Sequence, residues 1–180
     1  MNRKIFLLTL VTLFGISAVV VAGPFRRLGD FELADQDLKT HQYLFPKSKI
    51  TVISVADARG SDQLAPWIQR IYEKYENRID IDGVADLVTV PKPFRAILRQ
   101  TLSKQLTRPV MLDWHGTVVK RFASEKHVAN IYVVDRHGYI VKHLSGPVSD
   151  VALVEPYGEI NRAIADISRT IEPERKPRMD

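Results

Sequence analysis

The chain has 180 residues, 45% of them apolar and 26% charged, with a formal net charge of +5; this is the profile of one globular domain large enough for a real core. Arg3 and Lys4 carry two of those charges and leave +3 on the rest, which gives no reason to expect a nucleic-acid partner, since binding nucleic acid takes a concentrated basic surface. There is no cysteine, which excludes disulfides, thiolate catalysis and any Cys-based metal or haem site.

Residues 1–22 read as an address. Arg3 and Lys4 precede an uncharged apolar run over residues 5–22, and Gly23 and Pro24 end it. Val20 and Ala22 are small enough for the last positions of a signal-peptidase site, while 18 such residues also suffice to cross a bilayer as a helix. A cleaved signal or a retained anchor equally places the folded part outside the cytoplasm, either periplasmic or held at the inner membrane. Any contact with the membrane is expected only through this segment, if it is uncleaved.

The folded part is expected over residues 23–171. Phe31-Glu-Leu33, the turn Asp35-Gln-Asp37 and Tyr43-Leu-Phe45 predict a small hairpin. Residues 50–55 are β-rich and nearly all apolar, as in a central strand covered on both faces. Leu64, Trp67, Ile68, Ile71, Tyr72 and Tyr75 form one helical stripe, read as core packing. Ser61 or Asp62 is the expected cap, and Pro66 should bend the helix if the cap is Ser61.

Residues 80–87 read as the next strand. Phe94, Ile97, Leu98, Thr101 and Leu102 mark a second helix. Arg95, Arg99 and Lys104 lie on its other side, read as the wet face rather than a contact for acidic lipid or a partner. Val110-Met-Leu112 is a short strand, and residues 117–123 are ambiguous, with Val118, Val119 and Phe122 facing the core. Residues 130–134 and 139–144 form strands around the turn Asp135-Arg-His-Gly138. Ile160, Ala163, Ile164, Ile167 and Ile171 mark a last helix with Pro156 near its start, and residues 172–180 form a charged tail. Strands alternating with helices, then a hairpin, imply an α/β fold with a mixed sheet flanked by helices.

This order and several short words resemble the redoxin branch of the thioredoxin-like superfamily, which includes peroxiredoxins and membrane-tethered thioredoxin-like reductases. The words are Phe31-Glu-Leu-Ala-Asp-Gln-Asp-Leu-Lys-Thr40, the strand at residues 50–56, Pro109-Val-Met-Leu-Asp-Trp-His-Gly-Thr117 and Val128-Ala-Asn-Ile-Tyr-Val-Val-Asp-Arg-His-Gly138. There is a fainter likeness to YtfJ-type periplasmic proteins. The resemblance implies a three-layer thioredoxin-like sandwich. Aligned on Pro66, the family's two active-site cysteines correspond to Ala58 and Ser61, and its cis-proline to Ala129. A non-proline cis bond costs about 2.5–4 kcal/mol, so Ala129 should follow a trans bond.

Asp57, Ala58, Arg59, Gly60, Ser61 and Asp62, with Ala129, are therefore the candidate binding edge, at the C-terminal end of a central strand where α/β proteins bind ligands. Ser61 has no neighbouring base in sequence and reads as a cap; the charged loop reads as solvated, with a local Asp57–Arg59 pair. His41, His115, His127, His137 and His143 show no metal-ligand spacing, and no metal or cofactor is expected. The resulting expectation is a non-catalytic envelope protein that binds another protein. The alternative is an enzyme or small-anion binder acting through residues 57–62 without thiol chemistry.

Overall fold

The computed structural model of the chain describes residues 26–171. The signal or anchor segment and the charged tail lie outside the described residues. A hairpin of β1 (Phe31–Ala34) and β2 (Thr40–Tyr43) comes first, followed by β3 (Thr51–Ala56). A 3-10 turn at Ser61–Gln63 leads into α1 (Leu64–Tyr75), then β4 (Asp80–Asp86). A second 3-10 turn at Lys92–Phe94 opens α2 (Arg95–Gln105), and β5 (Met111–Asp113), α3 (Val119–Phe122), β6 (Asn130–Val134), β7 (Ile140–Ser145) and α4 (Asp150–Ile171) complete the domain.

The main sheet has the order β5-β4-β3-β6-β7. β3, β4 and β5 are parallel, whereas β6 runs antiparallel to β3 and β7 antiparallel to β6. Period-two alternation sends neighbouring residues of β3 to opposite faces. Ile53 and Val55 join Phe31, Tyr43, Val119, Phe122 and Tyr132 on the face covered by the hairpin and α3. Ile50 and Val52 meet Trp67, Ile71, Tyr75, Ile131 and Ile160 on the face covered by α1 and α4. Every residue of β3 is buried, as its unbroken apolar run requires. Each large aliphatic side chain taken from water here contributes about 1.5–3 kcal/mol.

Several local expectations are corrected. Neither Ser61 nor Asp62 caps α1 through its side chain; the helix opens through the 3-10 turn and Gln63. Pro66 consequently lies in the first α-turn, where amides have no intrahelical partner to lose. α4 begins at Asp150, with the Ser149 hydroxyl accepting from the Ala152 N–H, so Pro156 is inside the helix and not at its start. Tyr72 is not core: it is exposed beneath the Arg108 guanidinium, while Trp67 and Tyr75 are fully buried.

The largest correction concerns α2, none of whose residues is buried. Arg95 and Arg99 are half-buried and do not form its wet face. Arg95 donates to the carbonyls of Val90 and Trp114 and lies over the Trp114 ring, and Arg99 donates to the Gln36 carbonyl. Phe94 and Ile97 are turned outward, 59% and 64% exposed. Carbonyl acceptors at both ends of the helix, which the stripe cannot encode, decide its rotation.

Asp113 closes β5 and starts α3. Its carboxylate accepts from the N–H groups of His115, Thr117, Val118 and Val119. Burial alone would push this carboxyl up; those four amides outweigh it and hold it below the usual range. Asp113→Ala leaves the amides unmatched and is expected to lower unfolding free energy by about 2–3 kcal/mol in urea titrations. A loss under half a kcal/mol would show that α3 does not depend on this cap.

Candidate functional site

The loop after β3 is organised by one carboxylate. Asp57 Oδ1 accepts from the N–H groups of Arg59 and Gly60, at 3.0 and 2.9 Å. Its Oδ2 accepts from the His127 backbone N–H at 3.0 Å and lies 2.9 Å from His127 Nδ1. A carboxylate can only accept, so the ring nitrogen facing it carries the proton. Both amides belong to the loop ahead of the 3-10 turn, so Asp57 orders that loop without capping α1, and the expected Asp57–Arg59 ion pair is replaced by the contact between Asp57 and His127. Burial would raise the Asp57 carboxyl, but the amides of Gly60, His127 and Arg59 and the imidazole hold it below the ordinary value.

The opposing segment leads into β6. Ala129 is buried, and its N–H donates to Gln63 Oε1 at 3.2 Å. The one cis peptide bond among the described residues is Phe45–Pro46, so Ala129 follows a trans bond. Gly60 presses against this segment: a Cβ there would come within 2.3 Å of the Val128 carbonyl oxygen. The fully buried Asn130 holds the same segment, donating to the carbonyls of Glu125 and Val128 and accepting from the Glu125 N–H. The two halves of the edge are therefore clasped together, and the backbone donors of Arg59, Gly60, Ser61, His127 and Ala129 are all engaged.

Outside this clasp stand exposed side chains. Ala58, Arg59, Ser61 and Asp62 are exposed, and the Ser61 hydroxyl donates to the Ala58 carbonyl. Lys126 reaches the nearly buried Asp86, which ends β4. Asp57, Arg59 and Ser61 do not converge on a pocket. A polar cavity of about 540 Å³ lies instead beside β2 and the start of β4, lined by Tyr43, Lys47, Glu76, Asp80, Asp82 and Arg108. It is at the other end of β4 from the clasp, and within it Lys47 pairs with Asp80.

The histidines divide. His115 and His137 are exposed turn residues, as expected. His41 pairs with the buried Asp35, and His143 stacks on Tyr132 and bonds Asn130; burial lowers the His143 pKa. Among the described residues, no three His, Asp or Glu side chains are placed to hold a metal ion. His127 is the site residue that sequence reasoning missed. It is 70 positions from Asp57, and only the β3–β6 register, Val55 opposite Asn130, brings the two together.

Against known proteins, no family model and no curated protein matches the sequence. Solved structures do match. The pneumococcal exposed lipoprotein thioredoxin Etrx1 of Streptococcus pneumoniae superposes with a TM-score of 0.59 at 20% identity, over 73% of this chain and 99% of that one. A thiol:disulfide interchange protein DsbE from Chlorobium tepidum gives 0.57 at 14% identity, over 78% and 96%. BsSco, of the Sco family of cytochrome c oxidase assembly proteins, gives 0.54 at 14%, over 80% and 94%.

The fold is thioredoxin-like. Within that fold this chain has no cysteine, and the residues standing at the expected cysteine positions are Ala58 and Ser61.

Asp57 is more acidic folded than unfolded, so it adds stability above its unfolded pKa, near 4, and loses it as pH falls through the folded value. The stability gap between wild type and Asp57→Asn is expected to be widest at neutral pH and to narrow below about pH 4. A gap unchanged by pH would contradict the clasp. Ala58→Cys with Ser61→Cys is expected to fold and form a short-range disulfide in this thioredoxin-like loop. If the two thiols stay free in folded, oxidised protein, the loop alignment is wrong.

Proposed function

We propose that this chain is a non-catalytic thioredoxin-like protein of the cell envelope, binding or helping to assemble another protein without thiol–disulfide or peroxidase activity. The observation that carries the reading is the clasp. The loop that would bear the chemistry has no thiol, and its amides are already taken by Asp57 and Gln63. The same fact disfavours a small-anion site, because Asp57 occupies the two amides of Arg59 and Gly60 that an anion would use. A partner would meet side chains, namely Arg59, Ser61, Asp62, Lys126 and His127, rather than add a strand to the residue 127–129 segment.

Export is supported by the uncharged run at residues 5–22 and by the likeness to an exposed lipoprotein thioredoxin. The test has two arms. Purified protein is expected to show no insulin reduction or peroxide turnover above a heat-killed control; turnover would overturn the reading. A photo-crosslinker at Arg59 in cells is expected to give one dominant protein adduct. Its absence from folded, exported protein would remove this edge as the docking surface.

A further inference from the structure

The rotation of α2 leaves an arrangement that neither the clasp nor the core explains. Phe94 and Ile97 are 59% and 64% exposed on one ridge, with Val88 43% exposed at the head of the same connection. Arg95 and Arg99 lie on the inward side, where their guanidiniums meet carbonyls. A helix that turns two arginines inward and a phenylalanine and an isoleucine outward presents an apolar surface for something other than its own core.

The segment that carries the ridge has charge of one sign. Residues 87–112 contain Lys92, Arg95, Arg99, Lys104 and Arg108 and no Asp or Glu. None of the five cations takes part in an ion pair among the described residues. Their partners are carbonyls or aromatic rings, which leave the positive charge uncompensated. The carboxylate that touches α2 is Asp37, bonded to the Ser103 hydroxyl beside the hairpin. Lys92 and Lys104 flank the apolar ridge at its two ends and are exposed.

We propose that this ridge docks on an anionic phospholipid surface, with Phe94 and Ile97 entering the interfacial layer and Lys92, Lys104 and their neighbours meeting lipid phosphates. Exposed apolar side chains set between uncompensated cations are the pattern of a peripheral membrane helix. A protein partner fits less well, because a stable interface buries about 800 Å² on each side and the apolar ridge consists of a few side chains standing out from a convex helix. The ridge shares no residue with the residue 57–62 edge or with the N-terminal segment, and the proposal does not rest on the proposed function.

The absence of cysteine allows a direct test. Thr101 is exposed one turn beyond Ile97, so Thr101→Cys gives the chain a unique thiol for an environment-sensitive fluorophore. The full chain, as recovered from the envelope, is mixed with phosphatidylglycerol vesicles and with phosphatidylcholine vesicles. A label at Glu73→Cys on α1 serves as control, so that binding through the N-terminal segment alone leaves both labels unchanged.

The expected result is a blue shift of the position-101 label on phosphatidylglycerol only, reversed by salt and absent at position 73. Phe94→Ser with Ile97→Ser, and separately Lys92→Glu with Lys104→Glu, should each weaken the response by roughly tenfold. These sites are exposed, and unchanged circular dichroism will show that the variants fold. The proposal is overturned if the label stays aqueous on phosphatidylglycerol, responds equally to both lipids, or keeps its response in both variants. A shift without lipid, either on self-association or with lipid-free envelope protein, would also overturn it, assigning the ridge to a second copy or to a protein. The Arg59 adduct can be present or absent under any of these outcomes, so the two readings fail separately.

Discussion

The candidate edge depends on the Asp57 carboxylate. Four N–H groups converge on its two oxygens, two from its own loop and two from His127. Removing it would release the loop ahead of α1, an imidazole and a backbone segment together. Charge-assisted hydrogen bonds to a partly buried carboxylate are among the stronger polar interactions available to a protein, and here they join segments separated by most of the sheet's sequence.

The same device recurs along the edge. β3 is followed by Asp57, and β4 and β5 end in Asp86 and Asp113. Each turns its carboxylate back onto donors: Asp86 onto the Val88 N–H and Lys126, Asp113 onto the amides that open α3. Parallel strands bring their C-terminal ends to one side, and the helices that follow expose unpaired amides there. Asp113 satisfies such amides at the start of α3, whereas Asp57 and Asp86 take loop amides and, for Asp86, the Lys126 ammonium. The backbone of this edge is thus paired within the chain, and its exposed side chains stand outside that network.

The sheet was legible in the sequence because its signals are local. The apolar run of β3, the β6 run and the turn at Gly138, which has φ of +86°, each identify a strand or hairpin from neighbouring residues. The core side of α1 was legible from spacing, apart from Tyr72, which one cation keeps at the surface. Long-range polar partners were not legible. The inward turn of Arg95 and Arg99 depends on carbonyls at Val90, Trp114 and Gln36. The position of His127 depends on strand register, and Ser61 turns its hydroxyl back to the Ala58 carbonyl instead of capping the helix. Hydrophobic periodicity describes which faces are apolar; it carries no information about where a guanidinium finds its acceptor.

The close seat of Gly60 against Val128, together with the occupied amides, bears on how far this scaffold stands from redox catalysis. Position 60 has no room for a side chain, so of the two residues between thiols introduced at positions 58 and 61 only Arg59 could be varied to tune their potential. A thiolate at position 58 would sit beside the Asp57 carboxylate, which disfavours the anion. It would also find the nearby amides of Arg59 and Gly60 already accepted by that carboxylate. Two cysteines would thus recover a bond but not a nucleophile, and regaining catalysis would require dismantling the clasp as well as replacing two residues.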